Sequence, residues 1–222
     1  MTLAIVVPVK SPRRAKHRLS ELLTEEERSK LAAAMAHDVF RAVSPLTQYP
    51  RIVVSDDPQV LAEAAGYGLE PLLDRVGQGQ SAAVEQGFSL AWTRGCTASL
   101  TVPGDVPAVG TDELGELASY RPEIEVLLVS DREQIGTNGL RLTPPHAIAL
   151  RFGDDSFRLH RAEAARANRS FAVQRAVGLE HDLDRPEDVV AFLGLARDTE
   201  TRSLLDALKV ADRVLVETPR LG

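Results

Sequence analysis

The chain has 222 residues, 44% apolar and 26% charged, with a formal net charge of −6. That length fits one domain, and the acidic balance argues against a general nucleic-acid binder. Cys96 is the single cysteine, so an intrachain disulfide is excluded and a cysteine-based zinc site is not expected.

Met1 to Val9 lacks the basic start and cleavage site of a signal peptide and reads as a strand, with Leu3–Val9 continuous and β-rich. No apolar run is long enough to suggest a membrane span, so a cytoplasmic location is expected. Thr24 and Glu27 form a capping box that opens a helix, with Leu31, Met35, Val39 and Val43 on one stripe, ending near Pro45. Arg51–Val54 is a strand, and Asp57-Pro58 starts a second helix. Leu69–Leu73 is a short strand, Gln80–Ala91 a helix, and Ala98–Val102 a strand that stops at Pro103-Gly104-Asp105. Asp112–Ser119 reads as helix and Ile124–Ser130 as strand, followed by short strands at Asn138–Leu142 and Ala147–Leu150. Ser156–Asn168 is helical, Phe171–Val177 a strand and Pro186–Leu195 a helix. From Thr199 a polar turn leads to a helix at Leu204–Val214 and a loose tail. Strands and helices alternate, which predicts an α/β fold: a mostly parallel, mixed sheet flanked by helices on both faces.

Ligands in such folds bind beyond the carboxyl ends of the strands, so the loops there carry the chemistry. In the first, Lys10, Arg13, Arg14, Lys16 and Arg18 crowd together without the glycines of a P-loop. The cluster is either an anion site, with Lys as point charge and Arg as fork, or a solvated loop. In the second, Asp105 stands between Pro103 and Pro107, as a magnesium ligand or as a cap of the turn or of the next helix. In the third, Asp182 and Asp184 project to one side if the chain is extended, and Asp184 is alternatively the N-cap of the next helix.

These segments closely resemble, in the same order, the CofC/FbiD family of 2-phospholactate and phosphoenolpyruvate guanylyltransferases of deazaflavin coenzyme F-420 biosynthesis. The resemblance runs from about Val6 to Phe192. It rests on Val9-Lys10 with Ala15-Lys16-His17-Arg18-Leu19, on Pro103-Gly104-Asp105-Val106-Pro107, and on Asp182-Leu183-Asp184-Arg185-Pro186-Glu187-Asp188. Most specific is Gly136-Thr137-Asn138-Gly139-Leu140, with Asp131-Arg132 before it and Arg151-Phe152-Gly153-Asp154-Asp155-Ser156 after it.

The resemblance implies a GT-A-like nucleotidyltransferase fold over residues 1–198, with 199–222 as a C-terminal helix and tail of the same domain. It implies GMP transfer from GTP to a small phosphorylated carboxylic acid, phosphoenolpyruvate or 2-phospho-L-lactate, with release of pyrophosphate. Mg²⁺ would sit on Asp105, Asp182 and Asp184. Lys10, Lys16 and Arg18 would meet the triphosphate and Gly79 the nucleoside, with Lys10, Lys16 and Asp105 in the catalytic role. Thr137, Gly153 and Ser156 would contact the acceptor. Ser156 at a helix start suits an anion and is also a plain N-cap, while His160 one turn on either faces the acceptor or packs.

The chain departs from the family at Gln134-Ile135, at Gln80-Ser81 and at Leu159. Other acceptors such as 3-phosphoglycerate or a sugar phosphate, and a non-catalytic nucleotide-binding paralogue, stay open as alternatives. Neither nucleic acid nor membrane is an expected partner. The last helix could close the core or meet a second copy in a homodimer.

Overall fold

A computed structural model describes residues 2–12, 16–195 and 197–217, the side chains of 215–217 excepted. Seven strands form one sheet: β1 (Leu3–Pro8), β2 (Arg51–Ser55), β3 (Glu70–Leu73), β4 (Ala98–Thr101), β5 (Val126–Ser130), β6 (Thr137–Leu142) and β7 (Phe171–Val173). Their spatial order is β3-β2-β1-β4-β6-β5-β7. β6 alone runs against its neighbours, β4 and β5, and the other pairings are parallel. The reversal has a consequence for the site. The carboxyl ends of β1, β4 and β5 share one edge of the sheet with the amino end of β6, so Thr137 opens on the same edge as the loops after the parallel strands.

The helices are α1 (Glu25–Val43), α2 (Pro58–Gly66), α3 (Gln80–Thr93), α4 (Thr111–Ser119), α5 (Ser156–Arg166), α6 (Pro186–Leu193), α7 (Glu200–Ala207) and α8 (Val210–Glu217). Leu3, Ile5 and Val7 of β1 face a core with Val39 and Phe40 of α1, Val60 of α2 and Leu114 of α4. Ala4 and Val6 face the other core, with Val84 and Phe88 of α3 and Phe157 of α5. Burial on both faces is why β1 reads as an unbroken apolar run. The α1 helix is itself sandwiched. Its outer side, Leu31 and Met35, packs on Leu19, Leu23, Phe192 of α6, Leu205 of α7 and Val210 of α8. The Thr24–Glu27 capping box is formed.

Three expectations are corrected. Ala147–Leu150 forms no strand: Pro144 and Pro145 lack donors for a ladder, and the Ala147 amide turns back to the Pro144 carbonyl. The expected Leu204–Val214 helix is two helices and starts earlier. The Thr199 hydroxyl caps Arg202, and Lys209, at φ 52°, breaks the run after Leu208. The strand from Phe171 stops at Val173, short of Val177.

Arg141 of β6 is fully buried, an arrangement no sequence pattern announced. Its guanidinium donates to the carbonyls of Leu117, Tyr120, Arg121 and Ile124, so it closes the C-terminus of α4, where unpaired carbonyls attract a cation.

Candidate active site

A cavity of about 740 Å³ opens at the carboxyl edge of the sheet. Lys10, Lys16, Arg18, Gly79, Asp105, Thr137, Gly153, Ser156, Asp182 and Asp184 all line it. These ten candidate residues therefore meet in one place, although their segments lie far apart along the chain. Arg13, Arg14 and Ala15 lie outside the described residues.

Lys16 organises the cationic part of the lining. It sits in the left-handed region, at φ 59°, just before a 3₁₀ turn at His17–Leu19. Its side chain is 4% exposed. The ammonium donates to Asp105 Oδ2 at 2.8 Å and Asp184 Oδ1 at 2.6 Å. Burial opposes its charge, but the two carboxylates outweigh this and raise its pKa. Lys10 and Arg18 line the cavity and are exposed. Of the basic cluster, Lys10, Lys16 and Arg18 are thus part of the cavity lining.

Gly104 lets the second loop pass the end of β1, since a Cβ there would lie 2.8 Å from Val9 Cγ2. The Leu183 amide donates to the Asp105 carbonyl at 3.3 Å, which ties the second loop to the third. Buried Leu183 leaves Asp182 and Asp184 on the opposite side of an extended segment, facing the cavity. The alternative N-cap role of Asp184 is not realised. The N-cap of α6 is Arg185, and Asp188 reaches back to the amides of Asp184 and Arg185. Likewise the helix after Asp105 is capped at Gly110.

Asp182 and Asp184 differ. Burial raises the Asp182 pKa to about 6, helped by the charge of Asp105, while the Asn138 amide donates to Oδ1 at 2.9 Å. Burial acts the same way on Asp184, but Lys16, with Arg18 and Lys10, holds it below the usual carboxylate range. Asp182 thus lies where negative charge is in excess, which suits a further cation. Oxygen-only ligands fit a hard ion such as Mg²⁺. Lys16 stands between Asp105 and Asp184 in this structure. Among the described residues no three acidic, histidine or cysteine side chains already converge as a metal cage.

The cavity lining also carries neutral polar groups. Asp131 accepts the amides of Ile135 and Gly136, and so shapes the loop that delivers Thr137. Ser156 is the first residue of α5 and not its cap, which is Asp155 at φ 58°. The Ser156 hydroxyl accepts the Thr137 amide at 2.9 Å. Gly153 sits at φ 122°, a conformation that disfavours any side chain. His160 is fully buried and touches Thr137, so of its two readings the packed one holds, in contact with the site. Ser81, one of the departures from the family pattern, accepts the Phe152 amide at 2.9 Å and joins α3 to the Gly153 loop. Neither the Ser81 nor the Asn138 contact had a signal in sequence, because both partners come from distant segments.

Structures with this fold confirm its class. A putative nucleotide-diphospho-sugar transferase from Desulfovibrio desulfuricans superposes with a TM-score of 0.78 at 14% identity, covering 96% of this chain and 99% of the other. A nucleotidyl transferase from Methanothermobacter thermautotroptrophicus gives 0.65 at 17% identity, covering 86% and 95%. The fold is that of the nucleotidyltransferases. At the level of sequence, residues 3–220 match the model of the family described as "Guanylyl transferase CofC like". The phosphoenolpyruvate guanylyltransferase of Sphaerobacter thermophilus is 36% identical over 88% of this chain and 95% of its own. The 2-phospho-L-lactate guanylyltransferase of Methanocaldococcus infernus is 29% identical over 92% and 91%. The chain belongs to the CofC-like guanylyl transferase family. No helix among the described residues is long and apolar enough to cross a membrane.

Proposed function

We propose that this chain transfers GMP from GTP to phosphoenolpyruvate, or to 2-phospho-L-lactate, and releases pyrophosphate, as a cytoplasmic step of F-420 assembly. The observation that carries this is one cavity lined by both cationic side chains and hydroxyl-bearing residues. Lys10, Lys16 and Arg18 line it together with Thr137 and Ser156. The family's named activities supply the donor and the class of acceptor.

The chemistry asks little covalent work of the protein. An oxygen of the acceptor phosphate attacks the α-phosphorus of GTP, a new P–O bond forms, and the bond to the β-phosphate bridge breaks. A phosphate is already anionic near neutral pH, so no side chain has to remove a proton. Positioning and charge neutralisation provide the rate. Asp105, Asp182 and Asp184 would hold Mg²⁺, which when bound offsets the charge of the phosphates. Lys10 and Arg18 draw the triphosphate in from solvent. Lys16 turns from the carboxylates toward the phosphates, a move its flexible stem permits. Thr137, Ser156 and the open backbone at Gly153 orient the acceptor, while Gly79 at the start of α3 faces the nucleoside.

A pyrophosphate-release assay tests this with purified protein, Mg²⁺, GTP and, in turn, phosphoenolpyruvate, 2-phospho-L-lactate and 3-phosphoglycerate. Release with one of the first two supports the reading and names the acceptor. Release only with 3-phosphoglycerate moves the acceptor, and silence with all three from folded protein that binds GTP refutes guanylyl transfer to these acids.

A further inference from the structure

We propose that His160 is a positioning residue: its imidazole fixes the Thr137 hydroxyl as a hydrogen-bond donor aimed at the anionic acceptor. The inference deepens the proposed function and rests on its assignment of Thr137 and Ser156 to the acceptor.

The argument is a count of protons. The Arg151 amide lies 2.9 Å from His160 Nε2. A backbone amide can only donate, so Nε2 must be the unprotonated nitrogen. The neutral ring then carries its hydrogen on Nδ1. Nδ1 lies 3.0 Å from Thr137 Oγ1, so the ring donates and the hydroxyl accepts. The Thr137 hydroxyl hydrogen is left to point elsewhere, and Thr137 lines the cavity.

Its neighbour is set in the same way. Ser156 Oγ accepts the Thr137 amide, which leaves the Ser156 hydroxyl hydrogen available too. A free hydroxyl is donor and acceptor at once and does not select for charge. Two hydroxyls that each already accept one N–H group are biased toward donating their hydrogens, which favours a phosphate or carboxylate oxygen.

The ring has little freedom to adopt another state. His160 is fully buried, and Phe152 packs edge-on with ring centroids 4.8 Å apart. Burial, with the Arg151 charge nearby, pushes the imidazole pKa down to about 4 against the opposing pull of Glu163. With the hydrogen already on Nδ1, the ring cannot take the Thr137 proton as a base.

Nitrogen-15 spectroscopy of the histidine side chains reads the tautomer in the unliganded wild-type protein at pH 7. A protonated Nδ1 with a bare Nε2 is expected for His160, and a protonated Nε2 overturns the proposal. Kinetics of two isosteres read the consequence. An asparagine amide nitrogen overlays Nδ1, so His160→Asn keeps the donor to Thr137. A glutamine reaches the Nε2 position, so His160→Gln keeps only the partner of Arg151. The KM for phosphoenolpyruvate is expected to be about tenfold higher in the Gln than in the Asn variant, with equal KM for GTP. The gap should close in a Thr137→Val background. Equal losses in both variants, or a gap that survives without the Thr137 hydroxyl, would mean packing alone and overturn the proposal. Wild-type protein inactive with all three acids would instead overturn guanylyl transfer, and this proposal's ligand with it.

Discussion

Lys16 and Asp184 form a 2.6 Å ion pair across 168 positions of chain, with the lysine side chain buried and the aspartate partly open. The pair joins the loop after β1 to the segment before α6 and holds a cation in the cavity. Replacing Lys16 by Met should lower kcat by about 100-fold or more, the scale of losing one preorganised transition-state charge. Steady-state kinetics check this, and a change confined to KM would show that Lys16 serves ground-state binding only.

Asp184→Asn and Asp105→Asn should each nearly abolish turnover while far-UV circular dichroism stays unchanged. Both side chains face the cavity, neither caps a helix, and each variant leaves Lys16 one of its two carboxylate partners, so the secondary structure should persist. Full activity in either variant would refute the metal assignment.

The Ser81–Phe152 hydrogen bond ties the start of α3 to the Gly153 loop. Ser81→Ala strands the Phe152 amide, at a cost of about 1–3 kcal/mol. The expected result is a several-fold rise in KM for the acceptor. An unchanged KM would show that the loop holds its position without this bond.

Arg141 supports the fold and not the chemistry. Arg141→Met should leave its carbonyl partners at the end of α4 unpaired and destabilise the protein by about 3 kcal/mol. Thermal denaturation should show Tm falling by about 10 °C. Little change in Tm would mean that water reaches these carbonyls.

Glu27 carries a dependence on pH. Its hydrogen bonds to Arg213 of α8 and to the Thr24 amide hold its carboxyl pKa down to about 2. A depressed carboxylate stabilises the fold above its ordinary pKa, and that contribution is lost as pH falls toward the folded value. The Tm gap between wild type and Glu27→Gln should therefore be full at pH 7 and shrink between about pH 4.3 and pH 2. A gap constant over that window would refute the role of the ionised form.

The sequence by itself determined most of the elements, because local signals write them directly: the Thr24 capping box, Pro58 at the start of α2, and the apolar run of β1. It also marked the charged residues of the site, since acidic and basic side chains after strands stand out from a solvated background. Its errors fell where local signals are weak, as in the proline-rich turn at 143–148 and the break at Lys209. What only the tertiary structure decided is how those residues are paired. Whether Asp184 caps a helix or meets Lys16, how the ring nitrogens of His160 are paired, and why an arginine lies in the core all depend on partners 9 to 168 residues away. Hydrogen bonds and ion pairs are short-ranged and directional, so sequence spacing cannot fix them until the reversed strand β6 brings Thr137 to the edge where the other loops end.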